Sequence, residues 1–329
     1  MKAFAYVNAA NEKEAVAALG TERGRVLPLA GGMDLLALMK DRIVEPDRVV
    51  NVKNLDRTIQ RTPDGGLSIG AAVTLTDLAE HAEAAKLYPA LVHAAAGVGT
   101  PQIRNLGTVG GNLNQRPRCW YFRNEEFHCL KKGGSRCFAV DGENQYNAII
   151  GGGPSYIVHP SSLAVPAIAL NATFRIVGPA GEREVPASEY YQLPTQNLYG
   201  ETVLAPNELL THVVLPPPGG VRSANYEVRF RQSSDWPLAT AAVALSLDGN
   251  TVRGARVVMG AVAPVPWRSE EAEKALVGRS ISDETAMAAA DAALARATPL
   301  SQNAYKIQIA RTAVKRAILK AAGLLPDNL

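Results

Sequence analysis

The run Pro216, Pro217, Pro218, Gly219, Gly220 can extend neither a helix nor a central strand, because proline has no N–H to donate and paired glycines lose much freedom on ordering. A chain of 329 residues is also too long for one comfortable core. The run therefore marks a boundary, with one domain expected over 1–220 and a second over 221–329. Phe4, Tyr6 and Val7 read as a strand, Asn11 as the N-cap of a helix closed by Gly20, 26–30 as a second strand, 34–39 as a helix and 49–52 as a third strand. This αβ layer forms a first subdomain, about 1–55. A second subdomain, about 56–220, opens with a β-like run at 67–73, after which Thr74 and Asp77 have capping-box spacing and predict a helix through Lys86. Strands follow at 171–178 and 208–215.

Beyond the boundary, apolar runs at 238–247 and 251–262 flank Asp248, Gly249 and Asn250, a hairpin signal. Ser269 and Ser282 each precede acidic residues and a helical pattern, and a last helix from about Asn303 carries Ile307, Val314 and Ile318 at helical spacing. Arg311, Lys315, Arg316 and Lys320 on that helix read as a solvated face complementing the helix dipole. The fold class is α+β: a two-subdomain αβ domain, then an α+β domain with an antiparallel sheet and helices.

Two glycine turns suggest a ligand. Gly31 and Gly32 stand between an apolar strand and a helix start, and Gly110 and Gly111 repeat the arrangement after Thr108, with Asn112 beyond. Glycines let backbone approach a ligand closely, and a helix start offers unpaired N–H groups to a pyrophosphate. One such turn is ordinary turn chemistry; two favour a dinucleotide. Neither turn matches G-x-G-x-x-G or a P-loop, which disfavours NAD or ATP held in those ways. No nucleophile or acid–base constellation is legible, so no catalytic residue is assigned.

Cys119, Cys129 and Cys137 are the only cysteines and fall within one aperiodic stretch, 115–153, that reads as an insertion. An odd, clustered set is unlike a disulfide framework. Nearby Arg116, Arg118, Arg123, Lys131, Lys132 and Arg136 would favour thiolates. An iron–sulfur centre is favoured over a zinc site completed by His128 and over unligated thiols, since zinc sites prefer shorter spacings. A formal charge of +3 without a basic block gives no footprint for nucleic acid. No window is long and apolar enough to insert in a membrane, and no signal peptide is legible at the N-terminus. A cytoplasmic address is expected, with export to the periplasm bound to a partner as the alternative.

The segments LAGGMDLL, IGAAVTLTDL (69–78), IRNLGTVGGNL (103–113), RQSSDWPLA (231–239), APVPWR (263–268) and NAYKIQIAR together resemble the flavoprotein subunit of the xanthine dehydrogenase and carbon monoxide dehydrogenase family over nearly the whole chain. The resemblance implies FAD between two subdomains of the PCMH type, with Leu29, Ala30, Gly31, Gly32, Met33, Asp34 and Leu35 on one side and Thr108, Gly111, Asn112 and Ser162 on the other. Met33 stands where threonine is common, and Ser162 where an aspartate is usual. One branch, similar to periplasmic aldehyde oxidoreductases, carries a [4Fe–4S] cluster on a loop such as 115–153. This implies Cys119, Cys129 and Cys137 as ligands, with Ser155 where the fourth cysteine usually lies; Tyr156 and His159 are neighbouring alternatives.

The implied function is electron transfer within a molybdenum hydroxylase. A large partner with the molybdenum cofactor would oxidise an aldehyde or heteroaromatic compound, a small partner with [2Fe–2S] clusters would pass electrons on, and FAD on this chain would deliver them to an external acceptor. The alternatives are a free-standing flavin oxidase or reductase and a structural subunit with a vacant flavin site. His159 reads equally well as a core histidine, and Trp236 either covers a flavin ring or is structural.

Overall fold

The computed structural model describes residues 1–231 and 234–325. Gln232 and Ser233, within the RQSSDWPLA segment, and 326–329 at the end of the second expected domain lie outside the described residues.

The first layer is a three-stranded parallel sheet in the order Ala5–Asn8, Arg48–Asn51, Val26–Leu29. Its helix Glu12–Ala18 starts where expected, with the Asn11 side chain accepting from the Glu14 N–H at 2.9 Å. The helix ends at Leu19 rather than through a left-handed glycine, and the N–H of Leu19 reaches back to Ala15 and Val16. The helix after the first glycine turn is Leu35–Lys40.

The second layer is a five-stranded antiparallel sheet ordered Ile59–Arg61, Leu67–Gly70, Leu209–Leu215, Thr173–Gly178, Gly181–Pro186. The helix expected through Lys86 is two helices, Leu75–Ala79 and Ala82–Leu87. Thr74 caps the first by accepting from the Asp77 N–H, and the break comes where His81 Nδ1 accepts from the Ala84 N–H and starts the second. The imidazole thus supplies a cap that helix periodicity does not reveal.

The third layer is an antiparallel sheet ordered Trp267–Arg268, Thr251–Gly260, Pro237–Asp248, Arg222–Arg229. The strand Pro237–Asp248 is apolar on both faces. Ala241, Val243 and Leu245 face the core shared with Glu270–Leu276, Asp283–Ala293 and Tyr305–Ala321, whereas Ala242 and Ala244 pack into the core of the second layer. Ser269 and Ser282 cap the first two of those helices. Of the basic residues on the partly exposed face of the last helix, Lys315 pairs with Asp283 at 2.7 Å, Arg311 with Asp291 at 2.7 Å, and Arg316 lies on Tyr226.

The cysteine-bearing stretch holds a short helix, Trp120–Arg123, and a 3-10 turn, Leu130–Lys132. Phe122 and Cys129 pack on Leu38, and Tyr121, Phe127 and Phe138 form an aromatic cluster beneath. Three anchors tie the stretch to the rest of the molecule. Asp34 of the first layer receives Arg123. Glu201 of the second receives Lys131 at 2.8 Å. Asn303 and Lys306 of the third donate to the Asn147 carbonyl at 3.1 and 3.2 Å.

Candidate flavin cleft and cysteine centre

The two glycine turns meet. A Cβ on Gly31 would lie 1.8 Å from the Leu106 carbonyl oxygen and 3.1 Å from Gly107 Cα, so only a bare backbone lets the second turn approach. Gly32 has φ +77°, in the left-handed region that favours glycine. Between the turns opens a cleft of about 530 Å³, within the range of small-molecule sites. Its wall includes Ala30, Gly31, Gly32, Met33, Asp34, Leu35, Thr108, Gly111, Asn112 and Ser162. Leu29 does not reach the wall; its side chain lies behind Gly32.

Chemically, the cleft suits a phosphate-bearing ligand. Among the described residues, the backbone N–H groups of Gly31, Gly32, Met33 and Asp34 donate to no protein acceptor. Such groups need a ligand or water to be satisfied. Thr108 Oγ1 accepts from the Gly111 N–H at 3.0 Å and shapes the second turn. The Asn112 side-chain oxygen Oδ1 accepts from Ser161 Oγ at 2.7 Å and the Leu163 N–H at 3.2 Å, which leaves its NH2 available to a ligand. Ser161 makes these internal bonds, whereas its neighbour Ser162 lines the cleft.

Asp34 does not aim its carboxylate at the cleft. It accepts from the Arg116 N–H at 2.8 Å and Arg123 Nη2 at 2.6 Å, with Arg118 Nη2 at 3.0 Å. Its contribution to the wall is therefore backbone. Arg118, on the wall, lies 4.5 Å over the Trp236 ring. Burial pulls its guanidinium down to about 10, against the pull of Asp34, and it stays charged at neutral pH. The spacing of charged residues gave no sign of the Asp34 contacts, which span more than eighty residues.

The cysteines are free thiols. Burial pushes the Cys119 thiol up; donors from the Phe122 and Tyr121 backbone and from Asn147 Nδ2, 3.7 Å from Sγ, oppose it, and Cys137 is near enough to add to the rise. Asn147 Nδ2 also donates to the Tyr156 carbonyl at 2.9 Å, so one amide bridges Cys119 and the backbone next to buried Ser155. Among the described residues, no group of three His, Cys, Asp or Glu side chains is gathered closely enough to hold a single metal ion. His159 is buried, its ring 4.5 Å from Tyr191, and burial pulls it down to about 4, so it is neutral at pH 7. Its Nδ1 accepts from the Ser161 N–H at 3.3 Å, which puts the proton on Nε2. Among the described residues its buried Nε2 has no hydrogen-bond partner.

Residues 2–218 match the family described as the FAD binding domain in molybdopterin dehydrogenase, and 224–321 the CO dehydrogenase flavoprotein C-terminal domain. The aldehyde oxidoreductase FAD-binding subunit PaoB of Escherichia coli is 35% identical over 98% of this chain and 99% of its own length. The chain belongs to the FAD-binding subunits of the molybdenum hydroxylases. The medium chain of carbon monoxide dehydrogenase from Hydrogenophaga pseudoflava is 30% identical over 93% of this chain and 92% of its own. Among solved structures, a Cu,Mo-CO dehydrogenase chain in its cyanide-inactivated form superposes with TM-score 0.77 at 25% identity, covering 99% of this chain and 100% of that one. Quinoline 2-oxidoreductase from Pseudomonas putida 86 gives 0.76 at 27%, covering 99% and 100%. As a subunit of this family, the chain is an FAD-carrying electron-transfer component of a molybdenum-dependent oxidoreductase. Among the described residues, no helix is long and apolar enough to cross a membrane.

Proposed function

We propose that this flavoprotein subunit relays electrons from the [2Fe–2S] clusters of a small partner to an external acceptor, in a complex whose large, molybdenum-bearing partner oxidises an aldehyde. The aldehyde is favoured because the relative matched at 35% identity over essentially its whole length is an aldehyde oxidoreductase subunit. Large and small partners fit the medium-chain character of the relatives. The observation that carries the reading is the cleft where the two glycine turns meet, its backbone N–H groups without protein acceptors.

The diphosphate of FAD would lie on the backbone of Gly31, Gly32, Met33 and Asp34, with Asn112 and Ser162 donating from the far side. When bound, FAD supplies chemistry in which electrons arrive singly and leave singly or in pairs. The chain's own residues bind and orient: the glycines admit the ligand backbone, and Arg118 keeps positive charge on the wall. We place the domain division at 220, with the FAD-binding domain before it and subdomains meeting near residue 55.

We further propose a [4Fe–4S] cluster on Cys119, Cys129 and Cys137. Its support is that the Asn147 amide points at Cys119 Sγ from 3.7 Å, that cationic Lys132 lies near both Cys119 and Cys129, and that the stretch is anchored to all three layers. A cubane takes each thiolate on a different iron and does not need the single common point that one ion requires. Ser155 is the candidate fourth ligand, since the backbone of its neighbour Tyr156 shares the Asn147 amide with Cys119.

Co-expression with candidate large and small subunits tests the assignment. The three should co-purify and oxidise aldehydes with an artificial acceptor, whereas this chain alone should not. Aldehyde turnover by the isolated chain would favour a free-standing oxidase.

A further inference from the structure

The proposal concerns Asp34 and rests on the flavin reading above. Asp34 stands at the N-cap of Leu35–Lys40, where an aspartate ordinarily turns back to accept from its own helix. Here it makes no such bond. Both oxygens instead face the start of the cysteine-bearing stretch: Oδ2 accepts from the Arg116 N–H, and Oδ1 lies 2.6 Å from Arg123 Nη2 and 3.0 Å from Arg118 Nη2. The contacts are well shielded, with side chains of Asp34, Arg123 and Arg118 exposed to 17%, 14% and 27%. Arg123 also donates to the carbonyls of Pro117 and Arg116, which closes the stretch on itself. Asp34, Arg116 and Arg118 all line the cleft.

An acidic side chain beside the turn that would carry a diphosphate is electrostatically unfavourable, because like charges at close range in a shielded site repel strongly. The two arginines reverse the local sign. We propose that Asp34 is a positioning residue for the flavin: Arg118 and Arg123 neutralise it and hold the Gly31–Gly32 turn open to the diphosphate, so that the cysteine-bearing stretch sets the affinity of the cleft for FAD. Loss of the Arg123 guanidinium, which does not itself line the cleft, then weakens FAD not by removing a ligand contact but by exposing the carboxylate.

This makes an unusual prediction of rescue. The full-length chain is stripped of flavin and titrated with FAD, with flavin fluorescence as the readout. Arg123→Gln should weaken FAD about tenfold or more, as expected for loss of a shielded charged partner. Asp34→Asn, whose side-chain oxygen can still accept from the Arg116 N–H, should bind within a few-fold of wild type. The Asp34→Asn, Arg123→Gln double variant should recover most of the affinity that Arg123→Gln loses, a coupling that a purely structural role for Arg123 would not produce. Arg118→Gln, alone and with Asp34→Asn, repeats the cycle should Arg123→Gln fail to fold. Wild-type affinity in both arginine variants, or double variants as weak as the single arginine variants, overturns the proposal. A wild-type chain that takes up no FAD overturns the flavin reading itself, and is seen before any substitution is made.

Discussion

Gly31→Ala is the substitution that most directly probes why the two turns are built of glycine. The added Cβ would sit 1.8 Å from the Leu106 carbonyl oxygen, while ordinary contact begins at 3.4 Å. The obstacle is backbone, so no side chain can swing away and the turns must separate by roughly 1.5 Å, an overpacking that typically costs about 1–3 kcal/mol. Such a shift also moves the N–H groups of 31–34 from the proposed diphosphate site. Losing one or two hydrogen bonds to a charged group, about 1.5–3 kcal/mol each, weakens FAD by roughly 10- to 100-fold or more. Gly65→Ala is the control. Gly65 has φ +93° with nothing within 4 Å of its Cβ and lies outside the cleft, so it carries only the left-handed penalty of about 1–2 kcal/mol. Thermal melts and FAD titrations of both variants separate the two effects: both should lose stability, and only Gly31→Ala should lose FAD. Wild-type FAD affinity in Gly31→Ala, or an equal loss in Gly65→Ala, would refute the reasoning.

Other consequences follow from the anchors of the cysteine-bearing stretch. Burial pulls the Lys306 ammonium down to about 7, and among the described residues it meets only the carbonyls of Tyr146, Asn147 and Ala261. A lysine with a depressed folded pKa binds fewer protons folded than unfolded between about pH 7 and 10, so stability should rise with pH across that window, by a few kcal/mol in order of magnitude; urea titrations should show a flatter rise in Lys306→Met. Burial alone would raise Glu201, but Arg116 and Lys131 beside it hold its carboxyl below the usual range. Its stability is thus present above the unfolded pKa near 4.5 and lost as pH falls through the folded value; Lys131→Met should cost about 3–5 kcal/mol in urea unfolding at pH 7 and start acid unfolding at a higher pH. If three thiolates and an oxygen hold the cluster, mild oxidation should remove one iron and give a three-iron EPR signal, and Ser155→Cys should suppress it, because thiolate suits iron in a soft-ligand site better than a hydroxyl; equal resistance in both proteins would count against this ligand set.

Local chemistry was legible in the sequence and distant chemistry was not. Asn11, Thr74, Ser269 and Ser282 cap their helices by bonds three residues long, so residue type and spacing suffice to find them. The break at His81 was missed because an imidazole rarely serves as a cap. The glycine turns could be recognised as turns, but the reason Gly31 must be glycine is an oxygen of Leu106, seventy-five positions away. Asp34 reads as an ordinary helix start, and only the folded chain shows its carboxylate between arginines more than eighty residues on. The same applies to Asn147, whose amide reaches Cys119 while its carbonyl is held by Asn303 and Lys306. The segments carrying the family likeness were visible as a set because each is a continuous run, although some of them, 263–268 and 303–311, do not line the cleft.

The central claim is that this chain holds FAD where its two glycine turns meet. The most direct test is to purify the full-length chain anaerobically from a flavin-replete host, denature it, and identify and quantify the released flavin by chromatography. The account predicts about one FAD per chain, released without covalent attachment, and its loss in Gly31→Ala. FMN in place of FAD, or no flavin in the folded wild-type chain, would contradict it.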